Sequence, residues 1–412
     1  MGLVSHLIRV SLAAGVAAVT ASAGTWIVDV NNGPGTNFTD LPPAIAAAAP
    51  GDVLLVRGGT YSPFTLSKGL TILGTPGAAP SGSQVGCCTA SVFSVPANQV
   101  AVIADLRFTW GITVVSAGTV VMDGVTSTGI MNVAQSADVR LHRYVGSTTY
   151  ASNSRFELSS STVDGQQGSG IGGAGLPGLS VAGTSFGLIA RTSCSGGAGA
   201  DVPIGLPGNG GNGGHALEVT AGLAGGPPLP VVLIAGGGVS TIRGGRGGFT
   251  YFQMDGDDGD GLRNYKAGVW YSGATFFPGT TSGNGLDHRY VVGPGSFDIA
   301  ISPRDPTLEM VGTPRAGTTV QLKVFATPGA VVRLNLGASA IRVPTPGVRV
   351  DKLVSADETL FLGVVPQNGV LPYTLYFRRA FTTGMTMYAQ AFMSDAAAGE
   401  TRRTNSVPIV MR

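Results

Sequence analysis

Residues 51–74, GDVLLVRGGTYSPFTLSKGLTILG, hold two four-residue apolar runs, Val53–Val56 and Leu70–Leu73, the second starting 17 residues after the first. Each run is bounded by glycine or a charge. Such runs are too short for helices and rich in strand formers, so the pattern predicts buried strands. Two strands a turn apart, with no helix between them, predict successive coils of a solenoid. The template returns in VAVIADLRF (100–108), GTVVMDGVTSTG (118–129), ADVRLHRYVG (137–146) and SRFELSSSTVDG (154–165). Aligning Asp105, Asp123 and His142 gives steps of 18 and 19 residues. FGLIARTSCSGG (186–197), VVLIAGGGVSTIRGG (231–245) and VWYSGATFFPG (269–279) fit the same layout with longer insertions between them. Alternation along each strand sends one set of side chains into the coil and the other outward.

Ahead of the first coils, Trp26–Val30 reads as a strand and DLPPAIAAAAPGD as a short helix. Asp40 suits an N-cap, and Pro42 and Pro43 sit in a first turn that needs no amide donor. A solenoid end exposes its core and an open strand edge, which such a helix would cover. This helix followed by GDVLLVRGGTY and LTILG resembles the start of the pectin-lyase-like right-handed parallel β-helix superfamily, over roughly residues 26–295. The resemblance implies a fold and leaves the activity open, because that superfamily includes lyases, hydrolases, isomerases, phage spikes and adhesins.

Charged residues are only 12% of the chain and hydrophobic ones 43%, so a chain with 65 glycines can still bury a core. The net charge of +2 is not gathered into a basic block, which argues against a nucleic-acid partner. His6 and Arg9, the apolar run Val10–Val19 and Ala21-Ser22-Ala23 read as an export signal over residues 1–23. The apolar run is shorter than the ~20 residues of a membrane span. A secreted chain without a spanning segment after signal removal is the expectation. Export permits a disulfide, and Cys87, Cys88 and Cys194 leave its pairing open.

Between Gly165 and Gly261, 31 of 97 residues are glycine. These insertions are expected to need positive φ or close packing of neighbouring turns. The expected β-helix spans residues 24–297. Residues 303–412 hold 12 basic and 7 acidic side chains, against 13 and 16 before them. Seven strand candidates there (Thr307–Val311, Val320–Phe325, Val331–Leu336, Thr359–Val364, Tyr373–Phe377, Met385–Met393 and Ser406–Met411) predict a C-terminal β-sandwich. The expected fold class is all-β.

The sharpest local feature is FQMDGDDGDGL, where Asp255, Asp257, Asp258 and Asp260 crowd a glycine-rich loop. Such carboxylates are either solvated or bridged by a cation, and calcium is the cation that suits them. The EF-hand pattern fails, because Lys266 stands at the twelfth position. In GGNGGHALE, His215 occupies the place of a coordinating aspartate in the nonapeptide calcium repeat. The superfamily resemblance implies, for a lyase, aspartate-bound calcium with a basic residue that abstracts a proton. Asp257, Asp258, Arg243 and Arg263, with Arg246 nearby, share that composition, but the motifs of pectate lyases and polygalacturonases are incomplete here. His142, His215 and His288 lie far apart and read as isolated. Tyr251, Tyr265, Trp270 and Tyr271, with Phe252, Phe276 and Phe277, could offer faces on which sugar rings stack. The resulting expectation is a secreted, non-catalytic protein that binds a polysaccharide or cell-surface glycan, or serves as an adhesive or structural module. The alternative is a lyase or glycosidase acting on uronate-containing polysaccharide.

Overall fold

The computed structural model describes residues 23–75, 82–86, 89–220, 231–235, 240–247, 249, 254, 257–265, 268–271, 274–277, 290–292, 297–300, 305–344, 350–395 and 400–412. The described strands wind into three parallel sheets of eleven, nine and nine strands, a parallel β-helix. One coil contributes Thr119–Asp123, Thr126–Ser127 and Met131–Ala134, one strand to each sheet. The next contributes Asp138–His142, Val145–Gly146 and Thr149–Ser152, in register with the first. Val120, Met122, Val139 and Leu141 point inward and join Met131 and Val133 in one continuous core. Val53–Val56 pairs with Thr71–Gly74 as expected of successive coils.

The register corrects one alignment. Asp123 lies opposite Ala104 on one side and His142 on the other, so both steps are 19 residues and Asp105 is not the equivalent position. Asp105 belongs to the following turn, with φ 53°, as do Gly124 at 67°, Arg143 at 50°, Ser160 at 50° and Arg191 at 52°. The left-handed backbone at this place turns the chain sharply from the long sheet into the next one. Four of the five positions are not glycine, so alternation of residue types could not reveal it.

The helix forms at Leu41–Ala47 and buries Leu41, Ala44 and Ile45 over the end of the core. The Asp40 carboxylate accepts from the Leu41 amide at 2.8 Å and from the Ser62 amide at 2.9 Å, tying the cap to the second coil. Among the described residues no helix is long and apolar enough to cross a membrane. The export signal falls almost wholly outside the described residues, as do Cys87 and Cys88. Cys194 is a free thiol in the coil core, and burial pushes it up to about 12.

The C-terminal region is antiparallel, with sheets of three and four strands sharing a core of Leu308, Leu322, Val324, Leu334, Ala389 and Val407. All seven expected strands are present. Two more, Ala340–Val343 and Lys352–Val354, form a small hairpin. That hairpin, with Tyr388 and Val410, packs on Leu73, Val102, Val121, Leu188 and Leu233, the outward row of the eleven-stranded sheet. The sandwich therefore lies along the side of the coil. This explains why VAVIA and VVLIA are nearly unbroken apolar runs: those strands are buried on both faces.

Candidate functional site: a bundle of glycine-rich segments

Three successive coils enlarge the same turn. The excursions 165–178, 196–216 and 244–261 follow the strands Thr162–Asp164, Ser193–Ser195 and Ser240–Arg243. They return to Leu179–Ala182, Leu217–Thr220 and Leu262–Tyr265. Each runs out and back, and the passes bond to one another with a period of three. The amides of Gly196, Gly199 and Val202 donate to the carbonyls of Arg243, Arg246 and Phe249 at 2.7–2.8 Å. Those of Gly210, Gly213 and Ala216 donate to Met254, Asp257 and Asp260. Gly211 and Gly214 donate to Ala200 and Gly197, and Gly165 and Gly168 to Ser195 and Ala198. A period of roughly three residues per turn, with no bonds inside a segment, is that of the polyproline II helix.

Close packing, not positive φ, is what most of these glycines supply. A Cβ on Gly196 or Gly259 would strike the Gly214 carbonyl, one on Gly214 that of Leu176, and one on Gly245 that of Gly197. As in collagen, only glycine fits where three backbones meet. The steps of three from Gly196 to Gly199 and from Gly211 to Gly214, all four packed against backbone carbonyls, are the sequence signal that would have disclosed the bundle.

Residues 257–260 of the acidic cluster are one pass of this bundle, so Asp257 and Asp258 point apart, whereas Asp257 and Asp260, three residues apart, share a face at different distances from the base. In a threefold helix successive side chains point about 120° apart. Asp257 is exposed, the Asp258 carboxylate accepts from the Gly247 amide at 2.7 Å, and Asp260 turns back to His215. Asp255 lies outside the described residues. Among those described, no group of three or more His, Cys, Asp or Glu side chains could hold a metal ion.

At the base of the bundle the fold brings together residues that looked isolated. His215 Nδ1 lies 2.9 Å from Asp260 Oδ2, and Arg263 Nη1 lies 2.6 Å from His215 Nε2. A guanidinium only donates, so Nε2 accepts from Arg263, while Nδ1 faces both the Asp260 carboxylate and, at 3.0 Å, the donating Asp260 amide. The imidazole is thus held at both nitrogens. Arg243 stands on another sheet, before the third excursion, and Arg246 pairs with Asp201 at 3.1 Å near the outer end.

The aromatic candidates divide. Tyr271 is partly buried against the coil core, so it is a packing residue. Tyr265 and Trp270 belong to the strands Leu262–Tyr265 and Gly268–Tyr271, and Phe276 and Phe277 to Ala274–Phe277. Tyr251, Phe252 and His288 lie outside the described residues.

A second cluster, beneath the sandwich, was invisible in the sequence. Asp138, Arg140, His142, Glu157 and Asp123 all project outward from three adjacent strands, and all are buried. Arg140 donates to Asp138 at 2.7 and 2.9 Å and to the carbonyls of Ile341 and Leu353 across the interface. Arg342 closes on the other Asp138 oxygen at 2.6 Å. Burial raises the Asp138 carboxyl, but the two guanidinium groups outweigh it and hold it below its usual value. Glu157 accepts from the Ser406 amide and hydroxyl at 2.7 and 2.9 Å, and burial pushes it up to about 7. Burial depresses His142 to about 4, so this ring is neutral near pH 7. The C-terminal Arg412 reaches Asp105 and Asp123, and Arg143 grips Asp123 at 2.8 and 2.9 Å. Asp138, Arg140, Glu157, Asp105 and Asp123 bond across to the sandwich, whereas His142 Nδ1 pairs with Ser159 of the next coil.

No protein-family model and no curated protein matches this chain.

Proposed function

We propose that this chain is an exported, non-catalytic binding protein, with a coil of the pectin-lyase-like kind that holds out the glycine bundle as its contacting element. The supporting observation is the outer end of the bundle. Its described turns carry Ile171, Ile204, Leu206 and Met254, which are 55%, 69%, 43% and 72% exposed. Large aliphatic side chains set on a backbone-packed support suit adhesion, since an exposed apolar patch marks a contact site more often than a catalytic one. A cell-surface glycan is the ligand expected from the aromatic residues, and Tyr251 is the aromatic candidate nearest the outer turns in sequence.

The test is retention of the labelled mature chain on cell surfaces and on a glycan array, with and without Ile204→Ser/Leu206→Ser. Binding that the variant loses supports the proposal, and no binding in either format overturns it. The alternative, cleavage of uronate-containing polysaccharide, draws on the convergence of Arg263, His215 and Asp260. A new unsaturated-product absorbance, lost in an Asp257→Ala/Asp258→Ala variant, would replace the binding reading with the enzymatic one.

A further inference from the structure

In the four-stranded sheet of the sandwich, Glu358–Val364 is a terminal strand whose one neighbour is Val331–Gly337. The chain then turns at 365–369 and crosses to the three-stranded sheet, where Val370–Tyr376 pairs with Thr319–Phe325. The outer edge of Glu358–Val364 therefore has no partner among the described strands. Sheets commonly blunt such an edge with lysine or proline. This one carries neither, and its Phe361 is 62% exposed. It is blunted only at its far end, where the register shifts opposite Val332 and Arg333, leaving Leu362 without a counterpart. Gly363 follows with φ 124°. The straight part of the edge is Glu358–Phe361.

A cavity of about 300 Å³ opens beside the first residue of that edge. Leu336, Phe381 and Met387 wall it and belong to or pack on the sandwich core. Phe381 stands edge-on to Phe377 with ring centroids 5.9 Å apart. The Phe381 and Met385 amides donate to the Arg378 and Thr382 carbonyls at 3.1 Å, so the loop that forms the cavity is closed on itself. Exposed Asp357 and Arg378 and half-buried Glu358 line the mouth. Glu358 faces the same side as buried Leu360, two residues on. On a strand added at about 4.8 Å, the side chain opposite Glu358 would therefore point to the cavity.

We infer that Glu358–Phe361 takes on a short extended peptide as a fifth strand, with an aromatic side chain lodged in the cavity. Main-chain bonds to the open edge supply affinity in such a mode, and the pocket supplies selectivity. The thioethers of Met385 and Met387 and the ring of Phe381 favour an aromatic occupant. Two carboxylates against one guanidinium at the mouth favour a basic residue beside it. The bulge decides between a peptide and a second copy. Two copies pairing along this strand would meet the irregularity at Leu362 and Gly363, whereas a short peptide can end before it. The site lies on the sandwich and is separate from the contact read at the glycine bundle.

The experiment is calorimetry of the mature chain against the acetylated, amidated hexapeptide TKVFVT. Saturable binding is expected, at least tenfold weaker for the analogue with alanine in place of phenylalanine. Successive amides of a strand face opposite edges, so of two analogues N-methylated at alternate residues only one should lose binding. Ala380→Trp, at an exposed position lining the cavity, should bind the peptide at least tenfold more weakly with an unchanged melting temperature. Glu358→Gln, which leaves the cavity open, should weaken TKVFVT several-fold and leave TTVFVT unchanged. Absence of saturable binding, an equal effect of both N-methylations, or equal binding by phenylalanine amide alone would each overturn the inference. Equal binding by Ala380→Trp would do the same. So would a dimer in sedimentation velocity that Phe361→Lys dissolves, since a second copy would then hold the edge. Each of these results leaves the binding reading of the bundle standing.

Discussion

The sandwich and the glycine bundle sit on the same coil and are held by opposite means. The sandwich is docked by side chains: an apolar row that includes Val121 and Leu188, and buried charges that find partners across the interface. The bundle is held by its own backbone, with passes bonding laterally through amides and carbonyls that a side chain would push apart. The first kind of contact depends on which groups are charged. The second rests chiefly on backbone bonds and is intolerant of volume.

Arg140→Ala should give the largest effect. It strips Asp138 of one of its two guanidinium partners in a dry interface, which costs about 4 kcal/mol. Chemical denaturation would measure the loss, and limited proteolysis should find the sandwich released. In the bundle the comparable break is Gly214→Ala. Its new Cβ meets the Leu176 carbonyl, with an expected cost of about 2–3 kcal/mol in the same assay. A cost near zero there would show that the passes can separate and that backbone packing does not hold them.

The interface should respond to pH, through two groups of opposite sign. Glu157 is raised from 4.5 to about 7, so the folded chain keeps a proton that the unfolded chain releases. Its contribution is complete below pH 4.5 and is lost as pH rises through 7. His142 is lowered from 6.5 to about 4, so its contribution is complete above 6.5 and is lost as pH falls through 4. Between 4.5 and 6.5 the two slopes oppose. Urea midpoints should therefore change little across that window in the native chain. Glu157→Gln should unmask a fall in stability toward acid, and His142→Leu a fall toward neutral pH, each on the order of 2 kcal/mol. Parallel curves for both variants would refute the assignment. The smallest effect belongs to the bundle's own ion pair: Arg246→Ala breaks an exposed contact with Asp201 and should shift the midpoint by less than about 0.5 kcal/mol.

Most of the coil was legible because its signal is local. Val53–Val56 and Thr119–Asp123 alternate within a few residues of glycine or a charge, and burial on the inner face enforces that alternation. The second strand of a coil, such as Thr126–Ser127 or Val145–Gly146, is only two residues long and leaves little pattern to find. The acidic cluster was conspicuous as composition, but its geometry follows from the threefold backbone and from neighbours some 45 residues away, such as His215. The charges of VRLH and RFELS fall on the outward set of side chains, and nothing local marks them as buried. Their true surroundings are set by Arg342, Leu353 and Ser406, about 200 residues or more further along the chain.

By itself, the sequence determined that this chain would coil, how one end would be capped at Asp40, and that an antiparallel domain would follow. Those outcomes rest on alternation, caps and turns, which act over a few residues. Tertiary structure alone decided that the sandwich lies against the long sheet and buries Arg140 and Glu157 there. It also decided that three glycine excursions join into one bundle. Both depend on contacts between segments far apart in the chain, and only the stacking of successive coils brings those segments within bonding distance.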